Sequence, residues 1–351
     1  MAGSGTAHLR DADRALIRVE DLVVRFRASR NRYVQAVSGI SLDVIPGETV
    51  GLVGESGCGK STTGRAIVQL PPPTSGRVLY DGVDLTTLDA KQVRAIRPEL
   101  QLIYQDPISS LDPHMTVEQI VGEPLDIWKR GTQASRRVLV AETLEAVGLD
   151  PKATLDKRPR EFSGGQCQRI CIARALILEP KALILDEPVS SLDVSVQAQI
   201  LNLLEDMKDR YGLTMIFIAH DLAVVRNASD VVVVMYLGKI CEVAATEDLF
   251  AAPAHPYTDG LLASIPQLRA SRNGNGSQPR TLAGELPSPL DPPSGCRFRT
   301  RCPRAAGRCA EEEPTLRAAG DSGHHFVACH FPLVEAALAP TAAGPAVAGS
   351  E

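Results

Sequence analysis

The sequence has no apolar run approaching the roughly eighteen residues that a membrane-crossing helix requires, so the chain is not expected to span a bilayer alone. Its first residues, Met-Ala-Gly-Ser-Gly-Thr-Ala-His-Leu-Arg, lack the apolar core of a secretory signal, which points to the cytoplasm. Positive charge is not in excess: 37 Lys and Arg against 42 Asp and Glu leave a net charge of -5. A nucleic-acid binder usually needs a basic footprint for the phosphate backbone, so no nucleic acid is expected as a partner. In a reducing compartment the eight cysteines are poor candidates for structural disulfides. Four of them cluster late in the chain, which points to metal. No internal repeat is present.

What is there suits a globular protein. Hydrophobic residues make up 44% and charged residues 23% of 351 positions, enough for one large domain with an appendage. Alternating apolar residues read as a strand, with a break, over Ile17–Phe26, and as a second over Ile40–Val44. Thr49–Val53 is a short apolar strand running into a glycine-rich loop and a helix from about Lys60. Arg77–Tyr80 followed by Asp81-Gly82 signals a hairpin. Helical patterns such as Ala141–Val147 and Gln166–Ile177 dominate residues 115–180. Buried strands are expected at Ala182–Leu185, Thr214–Ile218 and Val231–Met235, with a helix over Val194–Arg210. This alternation favours a mainly parallel sheet carrying a helical insertion.

Gly54-Glu55-Ser56-Gly57-Cys58-Gly59-Lys60-Ser61 matches the G-x-x-x-x-G-K-[ST] pattern in full, between an apparent strand and an apparent helix. Its glycines let backbone N–H groups turn inward as a nest for phosphate oxygens, and the helix N-terminus adds partial positive charge. Lys60 then reaches the β- and γ-phosphates of a nucleotide, the Ser61 hydroxyl ligates Mg²⁺, and Thr62 follows in the same cradle. Cys58 occupies a variable position, where exposure near a helix N-terminus would leave it open to alkylation. Ala182-Leu183-Ile184-Leu185-Asp186-Glu187 is an apolar strand ending in two acids. Buried carboxylates need something cationic beside them, so Asp186 is read as a Mg²⁺ ligand and Glu187 as the general base for water.

Phe162-Ser163-Gly164-Gly165-Gln166 resembles the signature of ABC ATPases, with Phe in place of the usual Leu. The resemblance implies that Ser163, Gly164, Gly165 and Gln166 face the nucleotide held by a partner subunit. Other elements occur in the family's order. Gln105 resembles the Q-loop glutamine that senses Mg²⁺ near the membrane-subunit contact. Asp193, in Ser191-Leu192-Asp193, resembles the D-loop. His220 resembles the switch histidine at the γ-phosphate. An aromatic stacks on adenine in the family; Phe26 is favoured here over Tyr33, placed in the loop beyond. Tyr104–Pro113, Glu161–Arg169 and His255-Pro256-Tyr257-Thr258 look like the ATP-binding subunits of oligopeptide and dipeptide importers. That implies a heterodimer with a second ABC ATPase, two integral membrane permease subunits, an extracytoplasmic peptide-binding protein, and a place at the cytoplasmic membrane face. Importers of nickel or other small solutes, and soluble non-transport ABC ATPases, are the competing readings.

Cys296, Cys302, Cys309 and Cys329 give C-x5-C-x6-C-x19-C. Four thiolates suit Zn²⁺ or an iron–sulfur cluster, and the spacing is neither that of a zinc ribbon nor that of a small ferredoxin. The importer resemblance implies a [4Fe–4S] cluster with a structural role, Zn²⁺ being the alternative. The expected fold is an α/β P-loop ABC ATPase: a mainly parallel core sheet, a small antiparallel β subdomain, a helical insertion and a C-terminal cysteine-rich extension. The expected divisions are a disordered 1–15 and a nucleotide-binding domain over 16–250, with its helical part at about 107–178. An extension over 251–331 follows, with a linker at 269–292 and the cysteines at 296–329, and then a disordered tail, 332–351.

Overall fold

A computed structural model describes residues 4–30, 32–265, 284–320 and 323–334. Strands β1 (Ile17–Ser29) and β2 (Arg32–Val44) form a long antiparallel ribbon, and β3 (Thr49–Val53) leads into α1 (Lys60–Ile67). Next come β4 (Ser75–Tyr80), β5 (Val83–Asp84), α2 (Ala90–Ile96) and β6 (Leu100–Ile103). Four helices follow: α3 (Val117–Ile127), α4 (Gln133–Ala146), α5 (Pro151–Thr154) and α6 (Gly164–Leu176). Then β7 (Ala182–Asp186), α7 (Val194–Tyr211), β8 (Thr214–Ala219), α8 (Leu222–Ala228) and β9 (Val231–Tyr236) alternate. The chain continues through β10 (Lys239–Ala245), α9 (Thr246–Ala251), α10 (Pro256–Ala263), α11 (Gly307–Glu311), β11 (Arg317–Ala318) and β12 (Phe326–Val327).

Two sheets result. The small one has the order β2-β1-β4-β5, and the large one β11-β12-β10-β9-β3-β8-β7-β6. From β9 to β6 the large sheet is parallel, with β3, β7 and β8 buried along their whole length, as their unbroken apolar runs require of strands covered on both faces. Side chains of β7 alternate between two cores. Leu183 and Leu185 join Ile120, Leu144 and Ile170 of the helical layer. Ala182 and Ile184 join Ile17, Ile40 and Ile67 beneath the small sheet. Each fully buried Leu or Ile of this kind contributes about 1.5–3 kcal/mol. In the helical layer, Thr116 and Gln119 close a capping box on α3, and Ser163 and Gln166 another on α6.

Several expectations change. The large sheet is mixed, because β10 pairs antiparallel with β9, and β12 with β10, so the C-terminal segment continues the sheet instead of standing apart. The β1–β2 ribbon is longer than expected; irregular register around Val19–Val23 and a positive φ at Asp21 interrupt its alternation. Tyr33 therefore lies on β2, not in a loop. Residues 4–15, expected to be disordered, are packed. Arg10 pairs with Asp43 at 3.0 Å and Glu48 at 2.7 Å, and the buried His8 bonds the Ser41 carbonyl at 2.7 Å. Most of the expected linker and tail lies outside the described residues. Among the described residues no helix is long and apolar enough to cross a membrane.

Candidate nucleotide site

Parallel register sets the site. Val53 of β3 lies beside Ala219 of β8, and Asp186 of β7 beside Ile218, so three strands end side by side. Open α/β sheets place ligands at this carboxyl edge. The loop after β3 depends on glycine. Gly54 has φ +151° and a Cβ there would lie 2.1 Å from the Met235 carbonyl; Gly59 has φ +105° and its Cβ would meet the Ala36 carbonyl at 2.2 Å. Lys60 is 4% exposed and its ammonium donates to the Gly54 carbonyl at 2.7 Å and the Glu55 carbonyl at 3.1 Å. Cys58 is buried and its thiol pKa is raised by that burial, so the expected exposed, alkylation-sensitive sulfur is not found.

Across the edge, Ser61 Oγ donates to Asp186 Oδ1 at 2.5 Å, and Arg65 approaches Asp186 Oδ2 at 3.3 Å. Asp186 is itself fully buried. Two hard oxygens on one side fit Mg²⁺, which usually takes few protein ligands and completes its shell with phosphates and water. Glu187 adopts a left-handed backbone with φ +49°, a strained state for a side-chain-bearing residue, while its N–H donates to the Ile218 carbonyl at 3.0 Å. Two groups converge on its carboxylate: Gln105 Nε2 donates to Oε2 at 3.0 Å, and His220 Nδ1 lies 3.4 Å from the same oxygen.

Phe26, Ser56, Gly57, Gly59, Lys60, Ser61, Thr62, Gln105, Glu187 and His220 all line one cavity of about 640 Å³. That volume suits a small-molecule ligand. Phe26 pairs with Val34, which lines the cavity too, whereas Tyr33 pairs with the neighbouring Arg27 and so faces the other side of the ribbon. The signature residues do not join this group. Ser163, the N-cap of α6, and Gln166 are exposed, as is Asp193 at the start of α7. A Cβ at Gly165 would lie 2.5 Å from Val196, and one at Gly164 3.3 Å from Leu192, so both glycines admit the α7 entry against α6.

The sequence reading missed the C-terminal segment's share in the site. Arg301 bonds the Glu55 carboxylate at 2.6 and 3.0 Å, Tyr257 OH accepts the Glu55 N–H at 2.9 Å, and Pro289 lines the cavity. Only Tyr257 left any trace, inside the importer-like His255-Pro256-Tyr257-Thr258 string. Nearby, the Cys296 N–H donates to the Cys309 carbonyl at 2.8 Å. Burial, followed by the nearness of Cys329, Cys309 and Cys302, pushes the Cys296 thiol up to about 12. Among the described residues, however, no group of three or more His, Cys, Asp or Glu is arranged to hold a metal ion, so the expected four-cysteine site, for a [4Fe–4S] cluster or for Zn²⁺, is not formed by these side chains.

The family model for ABC transporters matches residues 37–190, and that for the oligopeptide/dipeptide transporter C-terminal region matches 241–309. The chain is 48% identical over 314 residues to a putative peptide import ATP-binding protein of Brucella ovis, covering 90% of this chain and 97% of that one. It is 47% identical over 326 residues to the oligopeptide transport ATP-binding protein OppF of Salmonella typhimurium, covering 90% and 96%. Among solved structures it resembles the dimeric ATP-binding cassette MJ0796 in a post-hydrolysis state bound to ADP and Pi. That likeness has TM-score 0.60 and 27% identity, over 66% of this chain and 98% of that one.

Proposed function

This chain belongs to the ABC transporter ATPases, as the ATP-binding subunit of an oligopeptide/dipeptide transporter, and from that premise we propose how its residues work. ATP occupies the cavity at the carboxyl edge of the parallel strands, with its phosphates on the loop Gly54–Ser61 and the α1 N-terminus. Lys60 neutralises the β- and γ-phosphates. Ser61 and Asp186 would hold Mg²⁺, with Gln105 close by, and that ion supplies charge neutralisation at the transferred phosphoryl group. Phe26 stacks on adenine, a role supported by its place on the cavity wall. Glu187 takes the proton of the attacking water, and His220 and Gln105 fix its carboxylate. The single observation carrying this reading is the convergence of Gln105 and His220 on Glu187, in the cavity that Lys60 and Ser61 also line.

The exposure of Ser163, Gln166 and Asp193, none of which lines the chain's own cavity, supports the reading that they close over a second ATPase's nucleotide. A heterodimer with a related ATPase would then drive two membrane permeases on the cytoplasmic face, fed by an extracytoplasmic peptide-binding protein. A further cavity of about 710 Å³ beside Gln105 and Tyr104, lined by Arg97, Glu123 and Arg174, supports a permease contact there. Oligopeptides are the cargo favoured by the relatives' printed names and by the C-terminal match. For Cys296, Cys302, Cys309 and Cys329, an iron–sulfur cluster is proposed from the likeness of this segment to the oligopeptide/dipeptide transporter C-terminal region, with Zn²⁺ as the alternative. Iron and sulfide analysis of anaerobically purified protein tests this; a colourless, iron-free protein refutes it. The ATPase reading is tested by Glu187→Gln in the assembled transporter. ATP binding is expected to persist while hydrolysis falls by about 100-fold or more. Unchanged turnover overturns the role.

A further inference from the structure

Glu55 poses an electrostatic problem. It is the second residue of a loop whose task is to receive a polyphosphate, and its side chain is an acid. Left bare, a carboxylate there would repel the ligand that the flanking amides and Lys60 attract. The carboxylate and the backbone N–H of Glu55 are instead held from outside the cradle. Arg301 grips the carboxylate with two charge-assisted bonds, 2.6 Å to Oε2 and 3.0 Å to Oε1, from a side chain only 5% exposed. Tyr257 OH takes the backbone N–H at 2.9 Å.

The grip is itself supported. The Arg301 guanidinium lies 5.8 Å from the Tyr236 ring centroid and 3.5 Å from its hydroxyl. Tyr236, Tyr257 and Phe298 pack edge to face or tilted, with centroids 4.8, 5.2 and 5.3 Å apart. The Arg301 N–H donates to the Phe298 carbonyl at 2.9 Å, so one turn of the C-terminal segment carries both the aromatic anchor and the cation. Pro289 of that segment lines the cavity as well, and its carbonyl accepts from Gln35 of β2 at 2.9 Å.

We propose that Arg301 is a positioning residue for the phosphate loop, supplied in the same chain by the C-terminal extension: it neutralises Glu55 and turns it away from the bound phosphates. The extension is thus a working part of the nucleotide site. The proposal rests on the cradle being the ATP site, and it goes further in assigning the extension a duty there.

The test is calorimetric titration of the full-length chain with Mg-ATP, paired with turnover in the assembled transporter. Arg301→Met is expected to weaken ATP binding about tenfold, the order expected for one uncompensated charge near the phosphates, with kcat unchanged at saturation. Arg301→Met combined with Glu55→Gln removes both charges and is expected to return affinity to within about threefold of wild type. A purely structural role for Arg301 would leave that double variant as impaired as the single one, and that result overturns the proposal. So does wild-type affinity in Arg301→Met. Should Arg301→Met fail to fold, Arg301→Lys, which keeps the charge, decides: most of the affinity is retained if neutralisation matters, and a full tenfold loss refutes it. Absence of Mg-ATP binding by the wild-type chain would instead sink the assignment of the site itself.

Discussion

Gly59→Ala tests how tightly backbone geometry governs the site. Gly59 combines φ +105° with a space that a methyl group cannot enter, since Cβ would sit 2.2 Å from the Ala36 carbonyl of β2. A side-chain-bearing residue pays about 1–2 kcal/mol in the left-handed region. Relieving the contact requires either β2 or the turn into α1 to move, which brings the total to about 3 kcal/mol or more. If the loop relaxes by abandoning its phosphate-binding shape, that energy must be returned on binding. At 1.4 kcal/mol per tenfold, ATP affinity then falls by about 100-fold or more. Gly47→Ala is the control: its φ is +77° but nothing lies within 4 Å of a Cβ, so only the strain is incurred. That variant should melt a few degrees lower and bind ATP normally. Calorimetric titration with Mg-ATP alongside thermal melts distinguishes the two. Gly59→Ala binding within about threefold of wild type, or Gly47→Ala losing as much affinity, would refute the reasoning.

Phe26→Ala should weaken ATP binding by about tenfold, the worth of one stacked base, whereas Tyr33→Ala, on the opposite ribbon face, should not; fluorescence titration of both variants decides. His255 is buried and its pKa is lowered by that burial to about 4, with its Nδ1 accepting the Tyr257 N–H at 3.0 Å. The unfolded chain therefore binds the extra proton first. Stability from this residue is full above pH 6.5 and declines as pH falls toward 4. Urea melts at pH 7 and pH 5 should show the decline in wild type and a smaller one in His255→Asn; equal slopes would contradict it.

Much of the site could be read in the sequence because its elements are locally encoded. The phosphate loop carries its own glycine pattern, and the unbroken apolar runs of β3, β7 and β8 announce strands covered on both faces, each ending at or directly before residues that carry chemistry. Exposure of Cys58 was misread because its sulfur lies in space vacated by Gly54, 2.8 Å from where a Cβ would be, and no local pattern encodes that. The antiparallel edge was hidden because β10 is a near-continuous buried run, without the alternation that marks a hairpin with β9, and its other partner β12 is two residues long and about eighty positions away. Arg301 was invisible because its partner Glu55 precedes it by 246 residues. Packing of residues 4–15 depends on Arg10 meeting Asp43 and Glu48, again beyond any local window.

ATP turned over in this cavity is expected to move peptide. In proteoliposomes rebuilt with the permease pair, the companion ATPase and the peptide-binding protein, uptake of a labelled oligopeptide is the direct measurement. Uptake that requires Mg-ATP and disappears when Lys60→Ala replaces the wild-type subunit is the predicted result. Uptake that continues unchanged without ATP, or with Lys60→Ala in place, would contradict it.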